Sequence, residues 1–170
     1  MFKIYIGQNF SSSNLKVLFV GESHNKAESN NIDANFTVDL ISNYLSGKWN
    51  STFLNKLFKG FKSFLKTDEE KNFFEKIAFT NYVQDVLESP SQSLMPFIRN
   101  DEGYKSHFLN VVEALSPSHI VLLSPRLFEV WEYSGLVNDL KSKGISITFT
   151  HHPASKSFKQ SEVLKTIKWI

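Results

Sequence analysis

Four apolar runs in this chain stop abruptly at side chains able to do chemistry. Residues 16–20, KVLFV, give way to Gly21, Glu22, Ser23 and His24; residues 77–79 to Thr80, Asn81 and Tyr82; residues 120–123 to Ser124, Pro125 and Arg126; residues 145–149 to Thr150, His151 and His152. Glu22 and Ser23 are of the types that position a water or bind a polar ring edge, and His24 can donate, accept or transfer a proton. Asn81 carries a donor and an acceptor on one amide, the pair that reads a nucleobase edge, and Tyr82 adds a stacking face. Adjacent strand residues point to opposite faces, so one of His151 and His152 is expected to face a cleft, where an imidazole stabilises negative charge on a leaving group. Pro153 ends the regular strand, and Ser155 either orients that segment or contacts phosphate. Each residue also has a plain structural use: Glu22 to His24 in a turn or helix cap, Asn81 tying loop backbone together, Tyr82 in the core.

Several chemistries are absent from the pattern. No cysteine occurs, which removes disulfides, thiol nucleophiles and cysteine-held zinc or iron–sulfur clusters. The neighbouring histidines lack the i, i+4 spacing of a helical metal site and no acidic ligand accompanies them, so no metal is expected. Gly21 lacks the later glycines of a dinucleotide fingerprint, and GxxxxGK[ST] does not occur.

Spacing predicts the elements that carry these groups. Strands are expected at residues 16–20, 77–79, 120–123 and 145–149, with a further short strand at 2–6 as an edge hairpin or an addition to the sheet. A helix is expected to leave directly from the GESHN turn. Apolar residues recur at helical spacing over 32–45, 52–65, 104–115 and 127–140, with a short helix over 68–76 and a last one over 161–170. Pro90, Pro96 and several serines predict a long loop at 86–100. Helical crossovers between strands favour an α/β fold: a three-layer, mostly parallel four-stranded central sheet flanked by helices, with all four strand ends on one edge.

Length and composition set the frame. At 170 residues, with 41% hydrophobic residues including 16 phenylalanines, the chain suits one α/β domain over residues 1–170. A net charge of +2 and a pI near 8.7 do not by themselves mark a nucleic-acid binder. Two local sets, Lys56, Lys59, Lys62 and Lys66, and Lys156, Lys159, Lys165 and Lys168, suit either a phosphate or a solvated face. No apolar run reaches the roughly 18 residues of a membrane span, and the first residues lack the pattern of a secretory signal. A cytoplasmic monomer without a membrane partner is therefore the expectation.

In their order, these motifs resemble those of the uracil-DNA glycosylase superfamily over roughly residues 16–158. GESH at 21–24 is similar to the first motif, which begins with glycine after the first core strand; FTNY at 79–82 to the strand end whose asparagine recognises uracil; and HHPAS at 151–155 to the second motif. The stretch ALSPSHIVLLSPRLFE resembles the family's helix, turn and strand leading to a small-residue turn. The resemblance implies hydrolysis of the N-glycosidic bond of a damaged base flipped out of DNA, without an organic cofactor. Gly21 would shape the first loop, Glu22 or Ser23 orient water, Asn81 bind the base edge and His152 stabilise the departing base, with His24, Tyr82, His151, Pro153 and Ser155 lining the substrate site. Ser23 and His24 stand where several members carry aspartate or asparagine and then proline, and the cysteines of the cluster-binding branch are missing. Alternatives are a noncatalytic nucleic-acid or nucleotide binder and a hydrolase of free nucleosides.

Overall fold

The computed structural model describes residues 1–26, 28–29, 31–89, 91–92, 94 and 102–159. Among these residues run five strands, β1 (Tyr5–Ile6), β2 (Val17–Gly21), β3 (Ile77–Asn81), β4 (His119–Leu122) and β5 (Ser146–Phe149). The six helices described are α1 (Phe36–Leu45), α2 (Thr52–Phe61), α3 (Glu70–Glu75), α4 (Glu102–Leu115), α5 (Pro125–Tyr133) and α6 (Leu136–Ser142). The expected helix at 161–170 and much of the expected loop at 86–100 lie outside the described residues.

All five strands form one sheet in the order β1-β3-β2-β4-β5. The four anticipated strands are mutually parallel. The expected count of four is corrected to five by β1, which joins antiparallel at the β3 edge with Tyr5 opposite Phe79 and Ile6 opposite Ala78. Just beyond β1, Gly7 N–H donates to Ile77 O (2.9 Å), which continues the pairing past the strand. A second correction concerns the helix expected directly after β2: α1 begins only at Phe36. The intervening chain is dense in asparagine, aspartate and serine, which bond their own backbone in turns, as Asp33 Oδ1 does in accepting from Asn35 N–H (2.8 Å). The long apolar pattern over 127–140 is likewise two helices, α5 and α6, broken at Gly135 with φ 74°.

Strand alternation divides the core into two layers. Val17, Phe19, Ile77, Phe79, Val121 and Leu123 pack with Leu54, Leu57 and Phe61 of α2 and with Phe73 and Phe74 of α3. Leu18, Val20, Ala78, Ile120 and Leu122 pack on the other face with α4, α5 and α6 through Phe108, Val112, Leu127, Trp131 and Leu140. The helices after β2 thus cover one face and those after β4 the other, although β2 and β4 are neighbours. Right-handed crossovers leading away in opposite directions produce this reversal, and it opens a crevice beyond the C-terminal ends of the two strands. Glu22 follows β2 there, and Ser124 and Arg126 follow β4.

Candidate active site

The parallel register sets Gly21 directly beside Asn81. Asn81 follows Ile77 and Phe79 on the face covered by α2, and its amide occupies the space that a side chain on Gly21 would take. A β-carbon on Gly21 would overlap Asn81 Oδ1 and come within 3.4 Å of the Phe79 ring. Asn81 is only 4% exposed, yet its side-chain amide makes no hydrogen bond among the described residues. Its hydrogen bonds are made by the backbone; the carbonyl accepts from Gln84 Nε2 (2.6 Å) and Thr80 Oγ1 (3.3 Å). Neither amide atom is among the fully buried, unpartnered polar atoms of the described residues, so the amide keeps contact with solvent and is open to a ligand offering one donor and one acceptor.

From Phe79 a chain of ring contacts leads to His152. Phe53, in the first turn of α2, meets Phe79 edge-on at 5.8 Å and stacks on His152 at 5.0 Å with the planes 24° apart. Ser51 caps α2, accepting from Leu54 N–H (3.3 Å), and so fixes the turn from which Phe53 projects. The His152 backbone holds its own loop, its carbonyl accepting from Ser155 N–H (2.8 Å), while its Nδ1 accepts from Ala154 N–H (3.3 Å). An imidazole that accepts at Nδ1 carries its proton on Nε2 when neutral. Although His152 retains considerable exposure, the protein packed around its ring holds its pKa below the ordinary imidazole value, and the negative charges of Glu22 and Glu28 only partly oppose this. At neutral pH the ring is a neutral donor through Nε2–H.

Glu22 bridges the crevice. Its Oε1 accepts from Ser124 Oγ and from Arg126 Nε (3.0 Å), and its Oε2 accepts from an Arg126 terminal nitrogen. Ser124 also caps α5 by accepting from Leu127 N–H (3.4 Å), and Pro125 opens that helix. Two oxygens offer about four acceptor positions and three are occupied, which leaves one on Oε2 for a water. The Glu22 side chain is 16% exposed and that of Arg126 47%, so the pair sits at the rim.

The remaining sequence candidates are distributed as follows. His24 is buried between Phe2 and Phe36, at ring separations of 4.9 and 4.8 Å, with Nδ1 donating to Glu28 Oε2 (2.9 Å) and Nε2 bonded to Thr37 Oγ1 (2.8 Å). Both nitrogens are engaged, and the ring anchors the 22–35 loop to α1. Ser23 Oγ donates to Asp85 O. Tyr82 packs among Phe108 and Trp131 on the far face of the sheet, at 5.7 and 5.4 Å. His151 is exposed and Pro153 buried. Ser155 Oγ is buried without a hydrogen bond, while its carbonyl accepts from Lys56 Nζ (3.4 Å).

Gly21, Glu22, Asn81 and His152 therefore share one edge, whereas His24 and Tyr82 point into packed surroundings. Sequence spacing assigned Phe53 and Phe79 to the core, and named Ser124 and Arg126 at a strand end able to do chemistry without giving either a partner. The signal for Phe53 was its position one residue into α2, where a helix residue overhangs the site and keeps part of its surface exposed. A polar cavity lined by Asn9, Thr67, Asn72 and Lys76 lies beside the start of β3, at the opposite end of the sheet from these residues. No helix among the described residues is long and apolar enough to cross a membrane, and no group of three or more metal-ligating side chains occurs among them. No protein-family model matches the chain, and no curated protein matches it.

Proposed function

We propose that this protein is a glycosylase of the uracil-DNA glycosylase type, which hydrolyses the N-glycosidic bond of a base flipped out of DNA. The observation that carries the reading is the Asn81 amide: open to solvent on a largely buried residue, without a hydrogen-bonding partner among the described residues, seated over the bare backbone of Gly21 and on the same strand face as Phe79, which Phe53 links to His152. One donor and one acceptor side by side match the imide edge of a pyrimidine such as uracil, and the aromatic pair supplies an apolar wall. His152, neutral and protonated at Nε2, donates to the carbonyl oxygen on which negative charge grows as the base leaves. The Glu22 carboxylate favours the cationic sugar electrostatically, and its free acceptor position on Oε2 orients the water that attacks C1′.

One observation favours a second reading, binding without turnover: Arg126 and Ser124 together occupy most of the acceptor capacity of Glu22. Purified protein incubated with oligonucleotides bearing uracil, hypoxanthine or other altered bases, followed by scoring of abasic sites, separates the two. Base release lost in Asn81→Ala establishes the first reading. Binding abolished by Asn81→Ala, with no base released from any substrate, establishes the second.

A further inference from the structure

Helix α2, which carries Lys56 and Lys59 of the first lysine set, meets the 151–159 loop, which carries Lys156 and Lys159 of the second. Residues 40–67 contain five lysines and no aspartate or glutamate, and residues 140–159 contain four lysines and no acid, in a chain of net charge +2. The remainder of the protein is therefore net acidic. Three contacts join α2 to the 151–159 loop along one side. Phe53 stacks on His152; Lys56 Nζ reaches Ser155 O at 3.4 Å; and Gly60 is bare where a β-carbon would come within 2.7 Å of the Phe158 ring.

This seam brings Lys56, Lys59 and Lys156 to one rim. None of the three forms an ion pair among the described residues, whereas Lys26, Lys71 and Lys105 elsewhere all do. Lys56 and Lys59 are one helical turn apart, and the stripe they begin runs down α2 away from Phe53. Just before α2, Trp49 is 43% exposed, with its ring 6.3 Å from Phe36, which in turn packs on His24. An uncompensated basic stripe beside an exposed aromatic ring is the combination that holds a strand of phosphates and stacks an unpaired base.

We propose that α2 and the 151–159 loop form a docking track for single-stranded DNA, with phosphates against Lys56, Lys59 and Lys156 and an unpaired base on Trp49. The track rests on the glycosylase reading for its position, since it leads into the site at Phe53 and His152. A single strand is the occupant because the face of Trp49 can be used only by a base outside a duplex.

The test is fluorescence anisotropy with labelled, undamaged DNA of about 20 nucleotides, single-stranded or duplex, over a range of salt, where each phosphate contact on a single strand contributes about 0.7 to the log–log salt slope. The wild-type protein is expected to bind the single strand more tightly than the duplex. The triple variant Lys56→Gln/Lys59→Gln/Lys156→Gln should lose about 2 from the slope, and Lys71→Gln/Lys105→Gln none. Trp49→Ala should weaken binding about tenfold with the slope unchanged. Circular dichroism confirms that each variant is folded. Absence of strand binding, a preference for duplex, or an unchanged slope in the triple variant overturns the track. Strand binding without release of any base overturns the glycosylase reading and leaves the track standing; release of base from duplex DNA without single-strand binding does the reverse.

Discussion

Asn81 lies over Gly21 so closely that the glycine has no room for a side chain. The two residues are register partners on adjacent parallel strands, 60 positions apart, and the amide that could bind a ligand occupies the space that the missing β-carbon leaves. Gly21→Ala must therefore push the Asn81 amide aside, and the added methyl would also stand within 3.4 Å of the Phe79 ring. A displacement of about 1 Å in a positioning group costs on the order of 100-fold in rate. Base excision by Gly21→Ala should fall by about that factor, and a variant with the parent's kcat/KM would remove Asn81 from base recognition.

Asn81 itself allows a sharper separation of function from stability. Its side chain contributes no hydrogen bond to the described fold, so truncation breaks none and leaves no partner unpaired. Asn81→Ala is expected to change unfolding free energy by less than about 1 kcal/mol in urea titration. The same variant should lose about 100-fold or more in kcat/KM, because a site built to bond a polar edge discriminates strongly when that bond is absent. A large loss of stability would mark the residue as structural instead.

The centre of the sheet was legible because β2 and β3 are short, continuous apolar runs that end at glycine or polar residues, and burial on both faces demands that pattern. The α2 boundary at Thr52 was equally clear, since Ser51 is a capping type before an apolar repeat. The 22–35 loop was not, because the partners of its anchor, His24, are Glu28 and Thr37, and a local scan cannot tell an imidazole held by both nitrogens from one offered to a ligand. Arg126 illustrates the same limit at longer range. Its partner Glu22 lies 104 residues away, and the pair exists only because β2 and β4 are neighbours in the sheet.

The Glu22–Arg126 pair predicts a graded response. Glu22→Gln should slow base excision about 100-fold and leave oligonucleotide affinity intact, since the carboxylate acts on the transition state. Arg126→Gln keeps the charge of Glu22 but releases its anchor, for an expected loss of about tenfold. The two effects should be less than multiplicative in the double variant, as for any directly bonded pair. Stability should fall by no more than about 1 kcal/mol in either single variant, because the arginine is half-exposed and solvent screens the pair. Undiminished excision by Glu22→Gln would leave His152 and Asn81 as the whole catalytic apparatus.

His107, His119 and His152 are all held below the ordinary imidazole pKa, in each case chiefly by burial. The positive N-terminus adds to the effect at His107, and Glu22 and Glu28 oppose it at His152. In the unfolded chain these rings titrate near pH 6.5, whereas in the folded chain they take up protons only at lower pH. Below about pH 6.5 the unfolded state thus binds more protons, and the stability present above that pH is lost as pH falls through the folded values. Melting temperature should decline from about pH 7.5 to about pH 5.5, and His119→Gln should flatten the decline without touching the candidate site. The same direction applies to chemistry at His152, whose donor state is the neutral ring: the acid limb of kcat/KM should lie below about pH 6.5. His152→Ala should lower kcat about 100-fold or more with little change in oligonucleotide binding. An acid limb above pH 6.5, or one that persists in His152→Ala, would assign the titration to another group.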